Sequence, residues 1–399
     1  MLRYLTSGES HGPQLTAIVD GLPAGLTVDK AGIDYQLARR QKGSGRGGRM
    51  KIERDKVQIV SGIRGGVTLG SPITVVISNR DWENWIEIME PFKASADRPG
   101  PADDPWAGAV TCPRPGHADL AGGIKYHHHD LRNVLERASA RETAARVAVG
   151  AISRQLLELF GVRIVSHVIR IGQAVLPRDK RTDDIDRIER LSEDSEVRCI
   201  DKQIAQAMMN EISAARDDRD SVGGTVEVIA RGLPAGLGGY SQWDQRLDGR
   251  LAAAMMSIPS AKGVEIGLGF EGASRRGSQV HDSIYYRDDS ASPRKGFYRK
   301  TNNAGGLEGG ITNGEDIVIC VAGKPLSTLQ RPLDSVDVRT KEEAKATVER
   351  SDHCAIPALA VVAEAVASLV LTEAFLQKFG SDNLTETRRN YDSFLAQPY

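Results

Sequence analysis

The chain is 399 residues long and 40% hydrophobic, with 52 basic and 53 acidic side chains and a formal net charge of −1. That length and apolar content support a sizeable core. The balanced charge excludes an overall field that would gather nucleic acid or an anionic membrane, so any anion site must come from local clusters.

Four scattered cysteines, Cys112, Cys199, Cys320 and Cys354, include no C-x-x-C pair, which argues against a disulfide framework or structural zinc and suits a reducing cytoplasm. No apolar segment follows the start and no unbroken run reaches about 18 apolar residues, so neither a signal peptide nor a membrane span is expected. Residues 8–12 read GESHG and satisfy the literal G-x-S-x-G pattern of a serine nucleophile elbow. The elbow needs a strand before the serine and a helix directly after it. Here Pro13 and the alternation of Leu15, Ala17 and Val19 predict a strand after the turn. Ser10 and His11 are therefore read as a polar pair in a glycine-flanked turn.

Further along, the pattern predicts a helix over 29–41, a hairpin over 56–78, a long helix over 140–160 and a strand at RIVSHVIRI. The charge-dense stretch 179–220 reads as a peripheral insertion with a helical middle. A helix near 243–256, a glycine-rich strand-and-turn region over 263–314 and an apolar helix over 357–376 follow, and the polar residues 380–399 are expected to be loosely held. Strands and helices do not alternate regularly enough for a doubly wound parallel sheet, so the fold class is α+β.

Two strings recur in the same order. GLPAGL stands at 21–26 and 232–237, and GIRGGVTLGSPITVVI from Gly62 is similar to GLEGGITNGEDIVICV from Gly306, sharing Thr68/Thr312 and several glycines. This predicts two halves, about 1–215 and 220–380, on one plan and packed about a pseudo-two-fold axis, a junction that often carries a site.

Several segments can carry chemistry. ARRQKGSGRGGR places Arg39, Arg40, Lys42, Arg46 and Arg49 among glycines. It contains G-x-G-x-x-G but with a helix before it and a strand after, the reverse of a dinucleotide fingerprint, so it reads as a phosphate or carboxylate clamp. ERASARETAAR carries a capping box, Ser139 and Glu142, with Arg137 and Arg141 beside a helix N-terminus that suits an anion. His117 follows a Pro-Gly turn two residues before Asp119, a carboxylate able to orient it. VERSDHCAIP sets Arg350, Asp352 and His353 before the last apolar helix, Asp352 being either part of an anion site or an N-cap. His127, His128 and His129 point different ways along one element, so no metal site is expected. AGKPLSTLQ places Lys324, Ser327 and Thr328 in a turn after a strand. Together these describe an enzyme for a small polyanion with histidines as proton carriers; phosphate elimination, phosphoryl transfer and isomerisation all stay open.

The blocks GESHG, RRQKGSGRGGR, RPGHADLAGGIKY, RASARETAARVAVGAI, KGVEIGLGF, NAGGLEGGITNG, KPLSTL and RSDHCAIPA resemble, in that order, the signature blocks of the chorismate synthase family, from Tyr4 to about Leu376. The resemblance implies one domain over 1–399 with a β-α-β sandwich fold, assembled as a homotetramer. It also implies the last step of the shikimate pathway: 5-enolpyruvylshikimate 3-phosphate loses phosphate and a ring proton in a 1,4-elimination that gives chorismate, with reduced FMN required although nothing is oxidised overall.

By the same resemblance His11 protonates the departing phosphate, His117 protonates the reduced flavin, and Asp352 assists proton removal through the flavin. Arg40, Arg46, Arg49, Arg141 and Arg350 would hold the phosphate and carboxylates, with Ser10 donating a hydrogen bond. Flavin contacts fall on Arg137, Ala138, Ser139, Pro259, Ser260, Gly309, Lys324, Pro325, Leu326, Ser327, Thr328 and Arg350. No added reductase domain is recognisable, so flavin reduction is expected from an external reductase, with NADPH only an indirect reductant. No nucleic-acid or membrane partner is implied. KYHHHDL and the Pro259-Ser260 pair depart from the family's usual residues near the expected flavin edge.

Overall fold

The computed structural model describes residues 1–46, 54–92, 108–289, 292–349 and 352–399. Strands β1 (Arg3–Ser7), β2 (Gln14–Asp20), β3 (Val57–Ile59) and β4 (Ile73–Ser78) form an antiparallel sheet in the order β1-β2-β4-β3. The alternation of Leu15, Ala17 and Val19 sets them opposite Ile77, Val75 and Ile73, all on one buried face. A second antiparallel sheet contains β5 (Arg163–Ile171), β6 (Ala174–Val175), β7 (Gly224–Arg231), β8 (Ala261–Ile266) and β9 (Ile317–Gly323), in the order β8-β9-β7-β5-β6. Strand β5, grouped with the first half in the sequence reading, therefore pairs in the second sheet.

Among the described residues eight longer helices accompany the sheets: α1 (Lys30–Gln41), α2 (Asp119–Tyr126), α3 (Thr143–Glu158), α4 (Ile185–Glu193), α5 (Lys202–Asp217), α6 (Leu247–Met256), α7 (Ile356–Phe379) and α8 (Leu384–Ala396). Helix α3 packs on β2 and β4, α7 packs on β5 and β7, and the two helices pack on each other. The mixture of antiparallel sheets and segregated helices is α+β. At the helix crossing, a Cβ on Gly150 would lie 2.6 Å from both the Cβ and the carbonyl oxygen of Ala365, so only glycine admits this approach.

Helix α7 reaches a mean hydropathy of 2.0 over a membrane-length window, yet 89% of that window is buried inside the protein. Glu364 interrupts the apolar sequence, so no unbroken apolar run of membrane length marks the helix. Glu364 is only 2% exposed and accepts from Arg39 at 2.6 and 3.0 Å, from Arg154 at 2.9 Å and from the Ser166 hydroxyl at 2.5 Å. Arg39 and Arg198 also hold Glu193, each at 2.7 Å. The charged 179–220 stretch thus does more than decorate the periphery: Glu193 and Arg198 enter this buried network, and Met208 and Ile212 of α5 are in the core.

Three further expectations are corrected. Residues 380–399 are not loose: Asn383 caps α8, Tyr391 is buried against Phe160, Phe375 and Phe379, and Lys295 donates to the carbonyls of Phe394, Leu395 and Gln397. Ser139 caps a 3-10 turn at Ala140–Glu142 that leads into α3, while Glu142 pairs with Arg146 at 3.0 Å and completes no capping box. Asp352 does not cap α7, whose N-cap position is Ala355.

The repeated strings build the same substructure twice. The Thr68 hydroxyl donates to Pro23 O at 2.6 Å and accepts from Leu26 N at 2.9 Å; the Thr312 hydroxyl donates to Pro234 O at 2.7 Å and accepts from Leu237 N at 2.8 Å. Each threonine sits in a small hairpin, Ile63–Thr68 or Leu307–Thr312, that clasps one GLPAGL turn.

Candidate active site

One cavity of about 420 Å³ opens where the two sheets' connecting segments meet. Its walls come from the β1–β2 turn (Ser10, His11), the end of α1 and the following loop (Arg40, Arg46), the segment before α2 (Arg114, His117), the approach to α3, the turn after β9 (Lys324, Leu326) and the start of α7. Thr143 at the head of α3 and Ala355 and Ala358 at the head of α7 both line it. Two helix N-termini, with their positive dipole ends, therefore border one space.

The β1–β2 turn is tied down from 136 and 137. Ser10 N donates to Glu136 O at 3.0 Å, and Arg137 donates to Gly8 O at 3.1 Å and Thr6 O at 2.8 Å. Arg137 thus secures turn backbone and does not line the cavity. The Ser139 hydroxyl donates to the Ser10 hydroxyl at 3.2 Å, which brings the two predicted serines side by side.

Each histidine rests on a buried carboxylate. His11 Nδ1 lies 2.9 Å from Glu136 Oε1, and His117 Nδ1 lies 2.6 Å from Asp119 Oδ1. Each carboxylate also holds an arginine: Arg132 on Glu136 at 3.3 Å, Arg114 on Asp119 at 2.8 Å. Burial works to raise both carboxyl pKa values, but hydrogen bonds from the histidine and the charge of the arginine outweigh it and hold both below the usual range. An ionised carboxylate only accepts, so Nδ1 of each ring carries hydrogen. The nearby Arg114 amino group, 3.0 Å from His117 Nδ1, is then a contact and not a donor to that nitrogen.

The arginines are spaced by a shared counter-ion. Arg141 forks onto buried Asp55 at 2.7 and 2.8 Å, and Arg40 lies 3.7 Å from the same carboxylate while donating to the Thr143 hydroxyl at 2.9 Å. Arg46 meets Asp352 at 2.9 Å. That meeting depends on Gly45, whose φ is +84° and whose Cβ would lie 2.9 Å from Cys354 Cβ, so the glycine-rich loop seats on the residues leading into α7.

Of the sequence-predicted positions, Ser10, His11, Arg40, Arg46, His117, Ala138, Ser139, Arg141, Pro259, Ser260, Lys324, Leu326, Ser327, Thr328 and Asp352 all line this cavity. Pro325 packs toward Gly223 instead, and Gly309 sits in the Leu307–Thr312 hairpin with open space around its Cα. Arg49 and Arg350 lie outside the described residues. Sequence reasoning missed Arg114, Asp55 and Glu136. Arg114 was within reach, three residues before His117 in the same motif; the other two declare themselves only through long-range pairing.

Arginines, a lysine and two carboxylate-backed histidines around one space are the makings of an enzyme's active site. A family model described as chorismate synthase matches residues 2–376. The chorismate synthase of Geobacter sulfurreducens is 57% identical over 397 residues, covering 99% of this chain and 98% of that one. That of Desulforudis audaxviator is 55% identical over 399 residues, covering 100% and 98%. A crystal structure of chorismate synthase superposes with a TM-score of 0.77 at 40% identity, covering 99% of this chain and 97% of the other. The chain belongs to the chorismate synthase family, a family of lyases.

Proposed function

We propose that this cleft converts 5-enolpyruvylshikimate 3-phosphate to chorismate by 1,4-elimination of phosphate, the last common step toward the aromatic amino acids, with reduced FMN as cofactor. The observation that carries the reading is the convergence of His11 and His117, each backed by a buried carboxylate, on one cavity with Arg40, Arg46, Arg141 and Lys324.

The cavity suits a flavin as well as a polyanion. Ile258, Pro259, Leu326, Leu359 and Val362 give apolar wall, and Lys324, Ser327, Thr328 and His117 give a polar edge, the composition a flat ring with a hydrogen-bonding rim requires. Those residues with Ala138, Ser139 and Ser260 would hold it. When bound, reduced FMN supplies the electron-rich partner that assists C–O cleavage without net oxidation.

The chain's own part is binding and proton placement. Arg40, Arg46 and Arg141, with the two helix N-termini, hold phosphate and carboxylate oxygens, with Ser10 donating beside them. Nε2 of His11 delivers a proton to the leaving phosphate, His117 keeps a proton on the flavin side, and the Asp352 carboxylate assists removal of the ring proton. Arg49 and Arg350 complete the oxyanion clamp in this reading.

We further infer that the sheet, helix, helix, sheet packing is the family's β-α-β sandwich in one domain of two duplicated halves. The likeness of the two sheets' strand orders supports a border near 160, before β5, in place of the expected one between 215 and 220. A homotetramer in the cytoplasm, fed by an external flavin reductase, completes the reading. The test is anaerobic turnover of His11→Ala and His117→Ala with reduced FMN. Each is expected to lose roughly 10²–10⁴-fold in kcat while still binding substrate; unchanged turnover in both would overturn the assignment.

A further inference from the structure

We propose that Glu136 is a positioning residue for this reaction: it holds the His11 imidazole with hydrogen on Nδ1, so that Nε2 is the nitrogen presented to the leaving group. The inference rests on the proposed role of His11 and adds the group that makes that role possible.

Three contacts fasten His11 and its turn to residue 136. The Oε1 atom stands 2.9 Å from Nδ1, Oε2 accepts from the backbone N of His11 at 2.8 Å, and the carbonyl of Glu136 accepts from Ser10 N at 3.0 Å. The ring plane is fixed separately, because Trp85 stacks on the imidazole with centroids 3.7 Å apart and planes 21° apart. Arg132 braces both supports, 3.3 Å from Glu136 Oε1 and 5.6 Å from the Trp85 ring. Glu136 is 2% exposed, so water does not compete for its oxygens. A carboxylate so placed both selects the tautomer and stabilises the imidazolium, as oriented carboxylates do in other histidine sites.

The first test is on the unaltered protein. Nitrogen NMR of the His11 ring is expected to show hydrogen on Nδ1 in the neutral form, and a neutral ring carrying its hydrogen on Nε2 overturns the proposal. The second is Glu136→Gln, whose amide can donate to Nδ1 as well as accept from it. In this variant kcat is expected to fall by roughly 10²–10⁴-fold with KM for 5-enolpyruvylshikimate 3-phosphate little changed, and the ring signals to become a mixture of tautomers. Wild-type kcat and ring signals in Glu136→Gln, with His11→Ala inactive, would sink the proposal while leaving the role of His11 intact. Full activity of His11→Ala would instead remove the role on which the proposal stands.

Discussion

Thr68 and Thr312 occupy one role in two places, each hydroxyl bridging the proline carbonyl and the second leucine N–H of its own GLPAGL turn. Both are buried, so valine at either position would strand a donor and an acceptor. Thr68→Val and Thr312→Val are each expected to cost about 1–3 kcal/mol in urea unfolding, and Thr→Ser at either position to cost less. A silent valine at one site alone would show that the two turns are not mechanically equivalent.

Glu364 predicts the acid limb of stability. Burial works against its ionisation, but Arg39, Arg154 and Arg198 outweigh it and bring the carboxyl from an ordinary 4.5 down to about 2. A group depressed by folding stabilises fully above its unfolded pKa and loses that contribution as pH falls through the folded value. Stability is therefore expected to decline from about pH 4.5 toward about 2, with Glu193, Glu136 and Asp119 shifted in the same direction. Glu364→Gln, which leaves buried arginines without their carboxylate, should lose roughly 3–5 kcal/mol at neutral pH and show a flatter acid limb in denaturation measured across that range.

Lys324 predicts how flavin binding responds to base. Burial, with the neighbouring Lys262, pushes its ammonium below the ordinary lysine value of 10.5. As pH rises through that lowered value the charge is lost and, in the proposed flavin site, FMN loses a partner, so its affinity is expected to weaken earlier than an ordinary lysine would cause. In flavin titrations Lys324→Arg should remove this pH dependence, and Lys324→Ala should weaken binding by roughly ten- to a hundredfold at neutral pH, the worth of one charge-assisted hydrogen bond.

Most of the architecture was legible where periodicity speaks for itself. The alternation at Leu15, Ala17 and Val19 marked β2, and the long apolar stretch marked α7, because burial on one face or all round leaves a local pattern. The recurring GLPAGL turn was legible too, but the partner of β5 was not, since only its pairing with β7 shows that β5 belongs to the second sheet. The docked tail was missed because its anchor is a few aromatics, Tyr391 and Phe394, on an otherwise polar helix. At the site, clustered charges such as Arg40, Arg46 and Arg141 could be read in sequence. Their carboxylate partners could not, because Asp55 reaches Arg141 and Glu136 reaches His11 only through tertiary folding.

The most direct measurement is anaerobic incubation of the protein with 5-enolpyruvylshikimate 3-phosphate and dithionite-reduced FMN, following chorismate absorbance and phosphate release, with oxidised FMN as the control. Chorismate and phosphate appearing in equal amounts, and only with reduced flavin, is the predicted result. Product at the same rate with oxidised flavin, or none with reduced flavin although both ligands bind, would contradict the account.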